Sequence, residues 1–216
     1  MERTDDVAAR IAKKTLAKRG ADYADEVRRL LDAALTVMTA GGIAARPRVA
    51  DIVAAAELSN DAFYRHFPSK DALVAALLED GAERLARYAA HQMDKESDPR
   101  ERMRSWVAAI LAQADERAAA ATLAVLWNAA GPGLALEAGP GVVGSALATL
   151  LRDTLVELGS AAPDSDALSI AHVAVGTLAD LLRQRSGPTD AEVDRITAFC
   201  LRALTPAAVV SGAEGA

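Results

Sequence analysis

Alanine constrains this chain more than any other residue, because it occupies 51 of the 216 positions. It has the highest intrinsic helix propensity, whereas sheets are built from β-branched and aromatic side chains. Here the aromatics are 2 Trp, 3 Tyr and 3 Phe. The composition predicts an all-α protein. A hydrophobic share of 51% excludes a wholly disordered chain, and the length allows one to two domains with a real core. Charged residues interrupt every apolar run short of the roughly 18 residues that a membrane span needs. The N-terminal stretch MERTDDVAARIAKK has no apolar signal core. A single cysteine, Cys200, excludes a disulfide scaffold or a thiolate zinc site within one chain and fits a reducing cytoplasm. These features together predict a cytoplasmic helical protein with no membrane segment.

The net charge of −6 is unevenly spread. Residues 1–70 hold 12 Lys/Arg against 10 Asp/Glu, or +2, while residues 71–216 hold 12 against 20, or −8. A polyanionic partner would therefore meet the N-terminal third. Residues 1–21, which include Arg3, Arg10, Lys13, Lys14, Lys18 and Arg19, lack a sustained apolar stripe and read as a mobile or loosely helical basic arm.

A helical period begins at Asp22, with Val27, Leu30, Leu31, Ala34, Leu35 and Met38 on one face, and stops at Gly41-Gly42. Pro47 marks the start of a second helix with Val49, Ile52 and Val53 on its apolar side. After a break at Glu57-Leu58-Ser59, Ser59 can cap a short third helix over Asn60–Phe67, which Pro68 ends. Ser69 can cap a fourth, running to Met93, whose Leu73, Leu77, Leu85 and Tyr88 form a stripe. Beyond Asp98-Pro99 the pattern predicts helices at 100–117, 119–129, 142–158, 165–185 and 189–204. A Gly/Pro-rich loop over 131–141 and a frayed tail complete this part. The expected organisation is an arm over 1–21, a three-helix head over 22–68, a connecting helix over 69–93, a helical body over 98–205 and a tail over 206–216.

Two short helices joined by a three-residue turn, the second offering Asn60, Tyr64, Arg65 and His66, describe a helix-turn-helix. In that unit the second helix enters the major groove and the first crosses the backbone. The run VADIVAAAELSNDAFYRHFPSKDAL, Val49 to Leu73, resembles the N-terminal domain of the TetR/AcrR family of bacterial transcriptional regulators. Ala54-Ala55-Ala56, Ser59, Phe63-Tyr64, His66-Phe67 and Ser69-Lys70-Asp71-Ala72-Leu73 carry the match, which extends over about 22–90.

The resemblance implies a homodimeric, ligand-responsive regulator, of the commoner repressor type, bound to a double-stranded DNA operator. Ser59, Asn60 and Ala62 would face the groove; Tyr64, His66 and Lys70 would meet phosphates, and Arg46 and Arg48 are natural further phosphate ligands. Phe63 and Phe67 belong to the head's core. Two positions depart from the family pattern: Glu57 stands at the turn glycine, and Asp61 stands where glycine is common. Asp61 would be repelled by phosphate unless it accepts from a cytosine amino group.

The body lies outside the motif. Leu168, Val175, Leu178 and Leu182, with Val193, Ile196 and Cys200, have the spacing of helices that pack along other helices. They fill the monomer's own core or, as the resemblance implies for the last two long helices, a four-helix dimer bundle. Met103, Trp106, Leu123, Trp127, Leu147, Leu151, His172 and Phe199 are the bulky or polarisable side chains, so some of them could line a site for a small, mainly hydrophobic ligand. Asn128 or His172 would be its polar anchor, although each tryptophan also reads as core and His172 as an interface residue. No enzyme, metal site or cofactor is expected, since His66, His91 and His172 are far apart in sequence and Cys200 has no evident base. Gly139-Pro140-Gly141-Val142-Val143-Gly144 spells a dinucleotide fingerprint but lacks the strand before it, and reads as a loop entering a helix. The competing reading is a helical interaction protein whose head, with Glu57, Asp61 and a net charge of −6, does not read DNA.

Overall fold

The computed structural model describes residues 7–41, 46–129 and 139–204. Among the described residues the regular elements are helices: α1 Val7–Gly41, α2 Val49–Ala55, α3 Asn60–His66, α4 Lys70–Met93, α5 Pro99–Leu111, α6 Glu116–Ala129, α7 Gly139–Glu157, α8 Pro163–Gln184 and α9 Asp190–Arg202. The all-α prediction holds. The chain divides into two compact units, one ending at Leu77 and the other beginning at Leu78, so the first turns of α4 belong to one and the rest to the other.

In the first unit, Leu30, Ala34 and Met38 of α1 are buried with Ile52, Val53, Phe63, Phe67, Leu73 and Leu77. The helix does not start at Asp22. It runs unbroken from Val7, so the expected arm is helical over its described part, with side chains exposed from Ala12 to Asp25. Four alanines lie between Ala8 and Ala17, and the buried turns after Val27 supply the nucleus that an isolated helix would lack. Gly20 is the interior glycine of α1, and a Cβ there would meet nothing within 4 Å.

The second unit is built on Trp106. Its side chain is 0% exposed, and its indole Nε1–H donates to the Leu147 carbonyl at 3.2 Å, joining α5 to α7. Met103, Ile110, Leu111, Leu147, Leu151 and Leu155 are fully buried around it. Along α8 the inward residues include Ala167, Ile170, Ala171, Ala174, Leu178 and Leu182, and along α9 they are Val193, Ile196 and Cys200. By length and composition alone α8 could cross a membrane, but this inward face packs as a core helix does. Burial pushes the Cys200 thiol up to about 11, so it stays protonated at neutral pH.

Local chemistry sets the ends. Asp98 accepts from the Arg100 and Glu101 amides at the start of α5, and Thr189 and Glu192 form a reciprocal cap at the start of α9. Gly159, at φ +83°, ends α7. The expected helix over 100–117 is interrupted: α5 stops at Leu111, and Asp115 turns extended before α6. The α7 helix begins at Gly139, inside the expected loop over 131–141, whose residues 131–138 lie outside the described part. Tyr88 leaves its expected stripe and is exposed, while Ala82, Leu85 and Ala89 are buried.

Truncating Trp106 to alanine should lower stability by about 3–5 kcal/mol, since it opens a cavity in the centre of the second unit. Trp106→Phe should cost clearly less, because the Leu147 carbonyl keeps its helical partner. Urea unfolding of both variants checks the order.

Candidate nucleic-acid interface

The α2–α3 turn is a glycine-type stop made without glycine. Glu57 adopts φ +53°, its amide donates to the Ala54 carbonyl at 3.2 Å, and the Leu58 amide reaches the Val53 carbonyl at 2.9 Å. These are the paired bonds of a Schellman ending, where a left-handed residue other than glycine costs about 1–2 kcal/mol. Arg29 of α1 holds the turn in place. Its guanidinium donates to the Ala56 carbonyl and, at 3.2 Å, to that of Glu57. The Glu57 carboxylate is 4.0 Å away and largely exposed, so it adds little.

Past the turn, Ser59 is extended and its Oγ accepts from the Ala62 amide at 3.1 Å, starting α3. Seven residues cannot sustain a helix alone, so packing fixes α3. Phe63 is wholly buried and Phe67 nearly so, as predicted. The outward side carries Asn60, Asp61, Tyr64 (59% exposed) and Arg65. Arg46, Arg48 and Ser59 lie at or near the surface as well, and Lys70, at the first turn of the Ser69-capped α4, is half-buried. Arg48 is tied to Asp51, whose Oδ2 accepts from its backbone amide at 2.9 Å.

Two of the eight expected DNA-facing residues point inward. Ala62 is buried, because its side of α3 faces the core. The His66 side chain is 0% exposed, and its Nε2 lies 2.6 Å from Glu26 Oε2 of α1, with the ring edge-on to Tyr23 at 4.2 Å. Arg65 reaches the same Glu26 oxygen at 3.2 Å. His66 is therefore a strut between α3 and α1, with no surface to offer a phosphate. The His66 hydrogen bond, ahead of the charges of Arg65, His66 and Arg29, holds the Glu26 carboxyl below its usual range. Sequence reading missed Tyr23, Glu26 and Arg29. They lie about 27 to 43 residues from their partners, and charged residues on the outer face of a helix give no sign of what they meet.

In the second unit the expected ligand residues separate. Met103, Trp106 and Leu147 lie together in the core, with Leu123 packed against it. The Asn128 amide donates to the Ala124 carbonyl one turn back at 2.9 Å. His172 is exposed on α8. The Trp127 side chain lies outside the described residues. Of the expected interface residues, Leu178, Leu182, Val193, Ile196 and Cys200 are buried in the chain's own core, because the inward face of each helix takes them. Leu168 is exposed and Val175 half-buried.

Residues 30–77 match the model for the bacterial regulatory proteins of the tetR family. No curated protein matches the sequence. The fold is similar to that of RolR in complex with the ligand resorcinol, at TM-score 0.62 and 19% identity, covering 87% of this chain and 91% of that one. It is also similar to the fatty acid degradation regulator FadR from Bacillus halodurans, at 0.60 and 20%, covering 82% and 98%. A TetR transcriptional regulator from Rhodococcus sp. RHA1 gives 0.62 and 18%, covering 85% and 100%. At these identities the likeness is one of fold.

Replacing Glu57 with glycine should stabilise the first unit by about 0.5–1 kcal/mol, the relief of left-handed strain exceeding the added chain entropy. Glu57→Ala, which keeps the strain, should change little in the same urea titration. Glu26 has a lowered folded pKa, so its contribution is present above the ordinary value of 4.5 and is lost as pH falls through the folded value. Wild type should thus exceed Glu26→Gln in stability at neutral pH and converge with it in acid, as followed by thermal melting across pH.

Proposed function

We propose that this chain, whose residues 30–77 match the model for the tetR family of bacterial regulatory proteins, is a member of that family and a sequence-specific DNA-binding transcriptional regulator, a cytoplasmic homodimeric repressor released by a small, mainly hydrophobic ligand. The observation that carries the reading is α3 itself: a Ser59-capped helix held from behind by Phe63 and His66, with Asn60 and Tyr64 outward. A helix so placed is sized for a major groove. Asn60 would read base edges, while Tyr64, Lys70, Arg46 and Arg48 would hold phosphates.

One short recognition helix makes few contacts, and a two-fold dimer supplies the second. The surface left for it on the last two helices is Leu168, His172 and Val175 of α8 and Phe199 of α9, the last 48% exposed. Phe199 would join this seam, while Leu178, Leu182, Val193, Ile196 and Cys200 are buried within the chain. The effector would enter the second unit near Met103, Trp106, Leu123 and Leu147, a region of apolar side chains. The similar solved protein RolR, in complex with resorcinol, supports a small-molecule effector. Because α4 belongs to both units, it is the covalent route for coupling. A coupling of about 1–3 kcal/mol would change operator affinity roughly 5- to 150-fold, provided the ligand prefers the weakly binding conformer. That the similar solved proteins named above are regulators supports a role without catalysis.

A second reading, an interaction protein whose head no longer reads DNA, is favoured by the exposed Asp61 on α3. Titrating the protein with DNA from upstream of its own gene, at several salt concentrations, separates the two. Preference for that DNA over random duplex supports the regulator, and no preference supports the alternative. Tyr64→Ala and Lys70→Ala should weaken binding to every sequence, whereas Asn60→Ala should change the preferred sequence by about 1–3 kcal/mol per base pair read. Unchanged binding in all three variants would remove α3 as the reading element.

A further inference from the structure

The described part of α1 ahead of the head is a helix of unusual charge. Residues 7–21 carry Arg10, Lys13, Lys14, Lys18 and Arg19 and no acidic residue, a charge of +5 in a protein of −6. All five are exposed. Arg10, Lys14 and Lys18 recur every four residues, so they form one row, with Lys13 beside it and Arg19 on another side. The rest of the first unit cannot supply this potential. Residues 22–77 hold six basic residues (Arg28, Arg29, Arg46, Arg48, Arg65, Lys70) against eight acidic, or −2. Four of the six are engaged within the head: Arg28 with Asp25, Arg29 with the turn, Arg48 with Asp51 and Arg65 with Glu26.

The place where this helix leaves the head matters equally. Tyr23 and Glu26 of α1 pack against His66 and Arg65, the last turn of α3. The basic stretch therefore emerges beside the recognition helix. At 1.5 Å per residue its fifteen residues extend about 22 Å, the axial length of roughly six base pairs.

We infer that residues 7–21 form a second DNA-contacting surface, a helical strut that meets the phosphates flanking the duplex engaged by α3. This rests on the DNA-binding reading above. The interaction is electrostatic and indifferent to sequence, since lysine on an exposed helix meets phosphate as a point charge. It gives an acidic protein its attraction to a polyanion, while Asn60 and its neighbours retain the selection. The sequence of the stretch fits DNA better than a lipid surface, because its bulky apolar residues are three aliphatics (Val7, Ile11, Leu16) with no aromatic to seat in an interface.

The test compares the full chain with its Lys13→Gln/Lys14→Gln/Lys18→Gln variant on a fluorescent random-sequence 40-base-pair duplex over a KCl series. Glutamine keeps the helix propensity, and these side chains are exposed, so the melting temperature serves as the folding control. The variant should bind at least about tenfold more weakly near 0.1 M salt. Its plot of log affinity against log salt should be shallower by about 2–3, close to 0.9 for each phosphate that the lysines no longer neutralise. Equal slopes with intact wild-type binding would overturn this surface alone and leave α3 as the reader. Absence of any duplex binding by wild type would overturn both. Lysine-dependent sedimentation with phosphatidylglycerol vesicles, together with unchanged DNA slopes, would assign the stretch to membranes and overturn the inference.

Discussion

A single guanidinium governs how this protein holds α3. Arg29 lies on α1, yet its hydrogen bonds end on the carbonyls of Ala56 and Glu57, where α2 stops and the chain reverses toward Ser59. The turn is left-handed at a residue that resists that conformation, so its geometry depends on outside support. Arg29 supplies it at one end of α3, and the Glu26–His66 pair supplies it at the other. Both anchors belong to α1, within one turn of each other. The short α3 is thus aimed by one long helix.

The same logic governs the charges of the head. Within the head, carboxylates engage arginines: Asp51 holds Arg48, and Glu26 holds Arg65. Such exposed pairs add little stability. Their effect is to fix side chains and to neutralise charge within the head.

The helices were legible where local chemistry decides them. Ser59, Ser69, Asp98 and Thr189 cap the elements that they were read to begin or precede, and Pro68 follows the end of α3. Apolar periodicity correctly sent Leu30, Ala34 and Met38 inward. What local patterns do not specify is which of two faces an apolar residue joins. Leu178, Leu182, Ile196 and Cys200 have the spacing of an intersubunit seam, and the core of one chain claimed them. The alanines made this possible. With Ala167, Ala171 and Ala174 on α8 and Ala148 on α7, the helices of the second unit need little space between axes, so the larger residues are drawn into a single core. His66 was misread for a related reason, since its partner Glu26 lies 40 residues away on another helix.

Gly20 gives the long first helix an uneven resilience. Nothing steric requires glycine there, and relative to alanine it weakens a helix by roughly 1 kcal/mol. The weak point falls after the last lysine of the basic row and just before Tyr23 meets His66. Unwinding N-terminal to Gly20 would leave the anchors of α3 untouched. Bending or melting there would move the charged segment without changing how α3 is held.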